Sequence, residues 1–288
     1  MDKSLATWLR LREPADTAAR SGELTRAIAD ALAGRERVQV LDLATGTGAN
    51  LRYLAPHLPS RQHWLVVDRD PELLARLVDR TASWAAERGY GVVPQTGGFV
   101  IRGDQLECHV ETRQQDLASL AALDLFAGRD LVTASALLDL ASESWLRDLA
   151  SRCRSEGAAA LFTLTYNGHS SCSPAEPEDD VMRDHLNQHQ RRDKGLGGVA
   201  AGPDAAEAAV RCFTEAGYRV RSETTDWSLG ASEHQLQREL IGGWAGVAVE
   251  MGFDPSTVAR WRDRRLAHLE AGHSHIVVGH LDVAAVPL

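Results

Sequence analysis

The stretch Val38-Gln-Val-Leu-Asp-Leu-Ala-Thr-Gly-Thr-Gly-Ala-Asn50 decides how the rest of the chain is read. An apolar run ends in Asp42, a tight turn carrying Gly46 and Gly48 follows, and a helical pattern with Leu51 and Leu54 begins at about Asn50. Strand, glycine turn and helix, in that order, bring bare backbone and a helix N-terminus up to a nucleotide-like ligand.

Strand and helix patterns alternate on both sides of this turn. Before it, residues 4–33 read as helical, with Pro14 suited to a first turn and Gly34 as the stop. After it, His63–Val67 is a buried strand ending at Asp68, and Pro71 opens a helix that stops at Gly89. Phe99–Val110 reads as a hairpin turning at Gly103-Asp104. Asp130–Ser135 and Ala158–Thr165 are further core strands, with a helix from Ser142 to about Arg154 between them. Residues 168–202 change character: Gly, Ser, Pro and acids, then a polar helix, then Gly195-Leu-Gly-Gly198. Regular structure resumes with a helix over Pro203–Gly217, a strand over Tyr218–Trp227, helices over Ser232–Met251 and Pro255–Leu269, and a closing strand over His275–Val283. The pattern predicts an α/β fold: a doubly wound, mainly parallel seven-stranded sheet with helical insertions, in one domain spanning 1–288. Within it, 1–35 forms an N-terminal helical cap, 168–202 a lid, and 231–270 a helical insertion before the last strand.

A dinucleotide fingerprint would need a third small residue after Gly46 and Gly48, where Leu51 stands; a leucine obstructs the close helix–strand packing that glycine permits. Asp42-Leu-Ala-Thr-Gly-Thr-Gly48 instead resembles motif I of the class I S-adenosylmethionine-dependent methyltransferases, with Ala44 in place of the first glycine. Asp68-Arg69, at the end of the next strand, resembles the family's acidic position that takes both ribose hydroxyls, a task suited to a carboxylate. Asp116-Leu117 resembles the pair beside the adenine, and Ser135 lies in the next segment lining the pocket. The resemblance covers residues 36–166. It implies a Rossmann-like methyltransferase fold, S-adenosyl-L-methionine as cofactor, and cofactor contacts from Asp42, Ala44, Thr45, Gly46, Gly48 and Asn50. An N-terminal helix in many relatives supplies an arginine to the cofactor carboxylate, which makes Arg20 and Arg12 candidates. Taken singly, each aspartate is as readily a helix cap; three at the ends of successive strands are harder to assign to capping.

Transfer of a methyl group from a sulfonium requires alignment and exclusion of water, and a base only where the acceptor carries a proton. Motif I therefore leaves the acceptor open. Acceptor-side candidates are His185 and His189, which share one helix face, and Asp139 as catalytic groups, with Tyr166, Asp193 and Trp227 contacting substrate. The run His185-Leu-Asn-Gln-His189 lacks the HExxH pattern, so no metal is expected. His273, His275 and His280 read as structural. Oxygen is the expected acceptor atom because it is common in the family. An NAD(P)-dependent oxidoreductase and a non-catalytic S-adenosylmethionine-binding protein are the alternatives.

Composition bounds the partners. The 288 residues are 44% hydrophobic and 25% charged, ordinary for a soluble domain. A net charge of −9 with only short basic runs disfavours nucleic acid, which leaves a small molecule as the expected substrate. Neither a signal sequence nor an apolar run of membrane length is evident, so a cytoplasmic protein is expected. The four cysteines are too scattered for a zinc or redox motif. The extra helices offer a second pocket wall or a homodimer contact.

Overall fold

A computed structural model describes residues 5–120 and 124–288. Residues 1–4, which the sequence places in the N-terminal cap, lie outside the described residues. The elements in chain order are α1 (Leu5–Ala19), α2 (Gly22–Leu32), β1 (Val38–Leu43), α3 (Ala49–Leu54), β2 (Arg61–Asp68), α4 (Pro71–Ala86), β3 (Gly91–Gln95), β4 (Gly98–Gly103) and β5 (Leu106–Gln114). They continue as β6 (Leu131–Ser135), α5 (Glu143–Glu156), β7 (Ala159–Ser173), α6 (Asp179–Gln190), α7 (Ala205–Glu215), β8 (Tyr218–Thr224), β9 (Trp227–Leu229), α8 (His234–Glu250), α9 (Pro255–Glu270) and β10 (His275–Pro287).

One mixed α/β sheet organises the molecule, in the order β3-β4-β5-β2-β1-β6-β7-β10-β8, with β9 paired to β10. The seven strands from β5 to β8 are the expected core, parallel from β5 through β7 and antiparallel at β10. The hairpin β3–β4 and the short β9 enlarge it. Pro94 inside β3 argues against a strand on sequence, and the sheet accommodates it by placing β3 at the edge.

β1 is buried along nearly its whole length because helices cover both faces of the sheet. Leu41, Leu43, Val132, Phe162 and Phe213 fill one face, against α5 and α7. Val38, Val40, Leu51, Trp64 and Leu161 fill the other, against α2, α3 and α4. Each such side chain contributes about 1.5–3 kcal/mol on leaving water. The chain crosses from β1 to β2 on one side and reaches β6 on the other, so the crevice lies at the carboxyl ends of β1 and β6.

The expected helix over 4–33 is two helices. Ser21 breaks it: its Oγ accepts from Leu24 N at 3.0 Å as the N-cap of α2, and its own N–H donates to Asp282 at 3.0 Å. Pro14 sits within α1 rather than in a first turn. The expected strand over Tyr218–Trp227 is also two strands, and Trp227 opens β9.

The segment 168–202 is not a loop-hinged lid at its start. Its first residues prolong β7, where Ser170–Ser173 pair with His275–Val278 of β10. β10 itself is longer than expected, and an extended partner strand keeps β7 in register beyond the core. A third apolar cluster fills the space over this extension. It contains Tyr166, Met182, Trp227, Trp244 and Trp261, with Trp8 and Leu11 of α1 packed against it. The fully buried Arg265 of α9 anchors the following loop through Pro174 O at 2.6 Å and both carboxylate oxygens of Asp179. Arg264 adds bonds to Glu176 at 2.6 Å and to Glu178. Among the described residues no helix is long and apolar enough to cross a membrane.

Candidate functional site

The glycine turn leaves β1 through three residues in the left-handed region: Ala44 (φ 51°), Gly46 (φ 56°) and Gly48 (φ 85°). Gly48 is the N-cap of α3, where a Cβ would meet Leu77 at 2.9 Å. At Gly46 a Cβ would meet Leu9 Cδ1 at 3.0 Å, so α1 roofs the turn. Glu13 of the same helix pairs with Arg52 at 2.7 Å and with Arg80, which ties the roof to α3 and α4.

Asp42, Asn50, Arg20 and Ser135 form one buried polar chain across the crevice. Asp42 accepts from Thr45 Oγ1 at 2.6 Å and from Asn50 Nδ2 at 2.7 Å. Asn50 Oδ1 accepts from Arg20 Nη1 at 2.6 Å, and Ser135 Oγ accepts from Arg20 Nη2 at 3.0 Å. The guanidinium lies 4.6 Å over the Tyr53 ring. Burial pushes Asp42 up to about 6, against the hydrogen bonds from Thr45 and Asn50 and the charge of Arg20. Burial lowers the pKa of Arg20. Among the described residues Arg20 forms no ion pair, and its Nε is buried without a partner.

Asp68 lies at the adjoining strand end, where its two oxygens accept from Gly46 N at 2.8 Å and Asp70 N at 2.9 Å. It therefore braces the glycine turn. Beyond it, Arg69, Asp70, Pro71, Gln114, Gln115 and Asp116 line an open cleft of about 600 Å³. Asp116 is exposed and caps Ala118 N at 2.8 Å. Leu117 is buried in the core, and its carbonyl accepts from Trp145 Nε1 at 2.7 Å. The expected cofactor residues thus fall along one path, from Arg20 past the glycine turn to Asp116. Leu51 is fully buried between α3 and the sheet, where a dinucleotide fold calls for a small residue.

The acceptor-side residues do not all converge. Asp139 is buried near the end of β6, and Tyr166 Oη donates to Asn187 Oδ1 at 2.8 Å. The Trp227 indole is buried and donates to Asp16 of α1 at 3.1 Å. His185 packs its ring 5.2 Å from Phe253, towards the helical insertion. His189 lies 3.2 Å from Lys194 Nζ and 3.8 Å from Glu250. Asp193 departs from the expectation that it shares the histidine face: α6 ends at Gln190, and Asp193 is exposed, accepting from Gly195 N at 2.7 Å within a turn. His280, read as structural, lies 5.0 Å from Trp227 and 6.4 Å from Tyr166, ring to ring. Only the pairing of β10 with β7, His280 opposite Tyr166, reveals that proximity.

No family model matches the sequence, and no curated protein matches it. Solved structures share its fold. The cyclopropane synthase MmaA2 from Mycobacterium tuberculosis is 11% identical, with 98% of this chain and 95% of that one covered and a TM-score of 0.49. Haemonchus contortus phosphoethanolamine N-methyltransferase 2, in complex with phosphomonomethylethanolamine and S-adenosylhomocysteine, is 15% identical over 99% of this chain and 58% of that one, at a TM-score of 0.46. The [4+2]-cyclase SpnF is 16% identical over 92% of this chain and 81% of that one, at 0.39. These are likenesses of fold, and a fold of this kind hosts more than one chemistry.

Proposed function

We propose that the protein is an S-adenosylmethionine-dependent methyltransferase acting on a small molecule. The observation that carries this reading is Arg20: a buried guanidinium beside the glycine turn, hydrogen-bonded to the neutral Asn50 and Ser135, with its Nε unpartnered and no carboxylate paired to it directly among the described residues. Asp16, Asp282 and Asp42 act on its charge only from a distance, so a ligand carboxylate would find a donor free to pair with it. In this reading Asp68, beside the turn, takes the ribose, and Asp116, which lines the open cleft, takes the base. When bound, the cofactor supplies an activated methyl group. The chain's own residues hold its carboxylate, roof it with α1 and keep water from the crevice.

The fold also suits a nicotinamide enzyme, which the buried Leu51 disfavours. Calorimetry of the protein with S-adenosylhomocysteine and with NAD separates the two. S-adenosylhomocysteine binding in the micromolar range and none for NAD is the expected result; the reverse would overturn the proposal.

A further inference from the structure

A second buried cluster lies beside the cofactor path and is not used by it. Asp139 takes one hydrogen bond, from Gln190 Nε2 at 3.1 Å, and its other carboxylate oxygen is buried without a partner among the described residues. His280 is also buried, with Nδ1 likewise unpartnered. Trp227 and Tyr166 flank the imidazole. The Arg12 guanidinium lies 4.9 Å over the Trp227 ring and is neutralised by Asp16 at 2.9 Å. Asp139 and Tyr166 bond to Gln190 and Asn187, one turn apart on α6, and the Tyr166 ring lies 6.4 Å from His280, which draws the carboxylate, phenol and imidazole into one region.

We propose that this cluster receives the methyl acceptor and that the acceptor is an amine, presented as ammonium to Asp139. The inference rests on the methyl-transfer reading and names its substrate class, nitrogen replacing the oxygen that family habit suggests. Three features favour it. The unpartnered Asp139 oxygen accepts hydrogen bonds, as an ammonium group requires. A phenol or carboxylic acid must become anionic to react, and the Asp139 charge opposes that; an ammonium ion instead cancels it. The Trp227 ring already holds one cation, the Arg12 guanidinium neutralised by Asp16, so these aromatic walls accept positive charge.

Arg12 is committed to Asp16 and the Tyr166 hydroxyl to Asn187, whereas Thr165 Oγ1 and His185 Nδ1, on the elements that carry Tyr166 and Asn187, are buried without a partner among the described residues. Burial pushes Asp139 up to about 6 despite the charges of Arg12 and Lys194, so it carries its charge at neutral pH. Burial, with Arg12, holds His280 at about 3, so the imidazole stays neutral across that range. In the reaction the ammonium ion gives one proton to Asp139. The freed lone pair forms the N–C bond as the methyl–sulfur bond breaks, its electron pair staying on sulfur. The positive charge ends on the new ammonium group.

The test uses methyl-deuterated S-adenosylmethionine with an equimolar mixture of primary amines, phenols and carboxylic acids, followed by a cell metabolite extract. Tandem mass spectrometry locates the label, which is expected on nitrogen. The amine so identified should bind the S-adenosylhomocysteine-loaded protein at least tenfold more tightly at pH 8 than at pH 5. Asp139→Asn should abolish that difference while binding S-adenosylhomocysteine as the wild type does. Label on oxygen or carbon, amine affinity indifferent to pH and to Asp139, or cofactor binding with no transfer, each overturns the amine inference and leaves the cofactor assignment standing. Absence of S-adenosylhomocysteine binding overturns the methyl-transfer reading, and this inference with it.

Discussion

Arg20 illustrates how much a single enclosed charge can say. It lies at the junction of α1 and α2, and its guanidinium bonds to Asn50 in the first turn of α3 and to Ser135 at the end of β6. In the fold, Arg20 is compensated in part by Asp16, Asp282 and Asp42, and its removal leaves their charge and the Asn50 and Ser135 oxygens less satisfied. Removing the cationic partner of a ligand carboxylate forfeits in addition a charged hydrogen bond worth about 1.5–3 kcal/mol. Arg20→Met should therefore lower the thermal midpoint of the ligand-free protein and also weaken S-adenosylhomocysteine on the order of 100-fold by calorimetry. A loss of stability with affinity intact would assign Arg20 a purely structural role. At this scale the positions of the three aspartates were legible, because Asp42 lies at the end of β1, Asp68 ends β2 and Asp116 follows β5 by two residues. His280 was not, because its neighbours Arg12, Tyr166 and Trp227 come from distant parts of the chain and meet only through strand pairing.

Among the elements, α9 shows how an insertion is made part of the fold. Arg265 is fully buried, and its guanidinium serves Asp179 and the Pro174 carbonyl, while Trp261 Nε1 donates to the same Asp179 at 2.8 Å. Truncating one member of a buried pair leaves the other desolvated and unpaired, which costs about 3–5 kcal/mol. Arg265→Ala should lower the calorimetric melting temperature by roughly 6–20 °C for a domain of this size. A change of a degree or less would show that α9 and the 174–179 loop are not coupled. The helices of this region were readable from their caps and periodicity: Asp254 accepts from Thr257 N at 2.9 Å and Pro255 opens α9. The strand extension beneath them was hidden, since Gly168–Ser173 carries loop-like composition and is a strand only because β10 runs alongside it. The end of α6 was likewise hidden, so Asp193 fell in a turn instead of on the histidine face.

Over the whole molecule, buried titrating groups pull stability in opposite directions. Asp42 and Asp139 stand at about 6, above their ordinary 3.8, so the native state binds protons more tightly than the unfolded chain. Their contribution is favourable at low pH and is lost as pH rises from about 4 to 6. His280, held at about 3 instead of 6.5, behaves oppositely: the unfolded chain binds the proton, and stability falls as pH drops below about 6.5. Asp139→Asn removes one carboxylate from this balance. In denaturant titrations of the ligand-free protein, its stability relative to wild type should be near zero below pH 4. It should then rise to a plateau above pH 6, with a ceiling of about 3 kcal/mol. A difference that does not vary with pH would mean that Asp139 titrates normally. The α/β architecture and the order of elements around the glycine turn were legible because alternation is a local signal. The third apolar cluster, which brings α1 onto the far end of the sheet, was not, since no local pattern records which surfaces meet.

One helix touches both binding regions: α1 lays Leu9 on Gly46 and places Arg12 and Asp16 at Trp227. Under the proposed function, the two ligands meet across this helix, so any order that one imposes on α1 is felt by the other. Thermodynamic reciprocity then makes the bargain symmetric: any tightening that the methyl donor confers on the acceptor, the acceptor returns to the donor by the same factor.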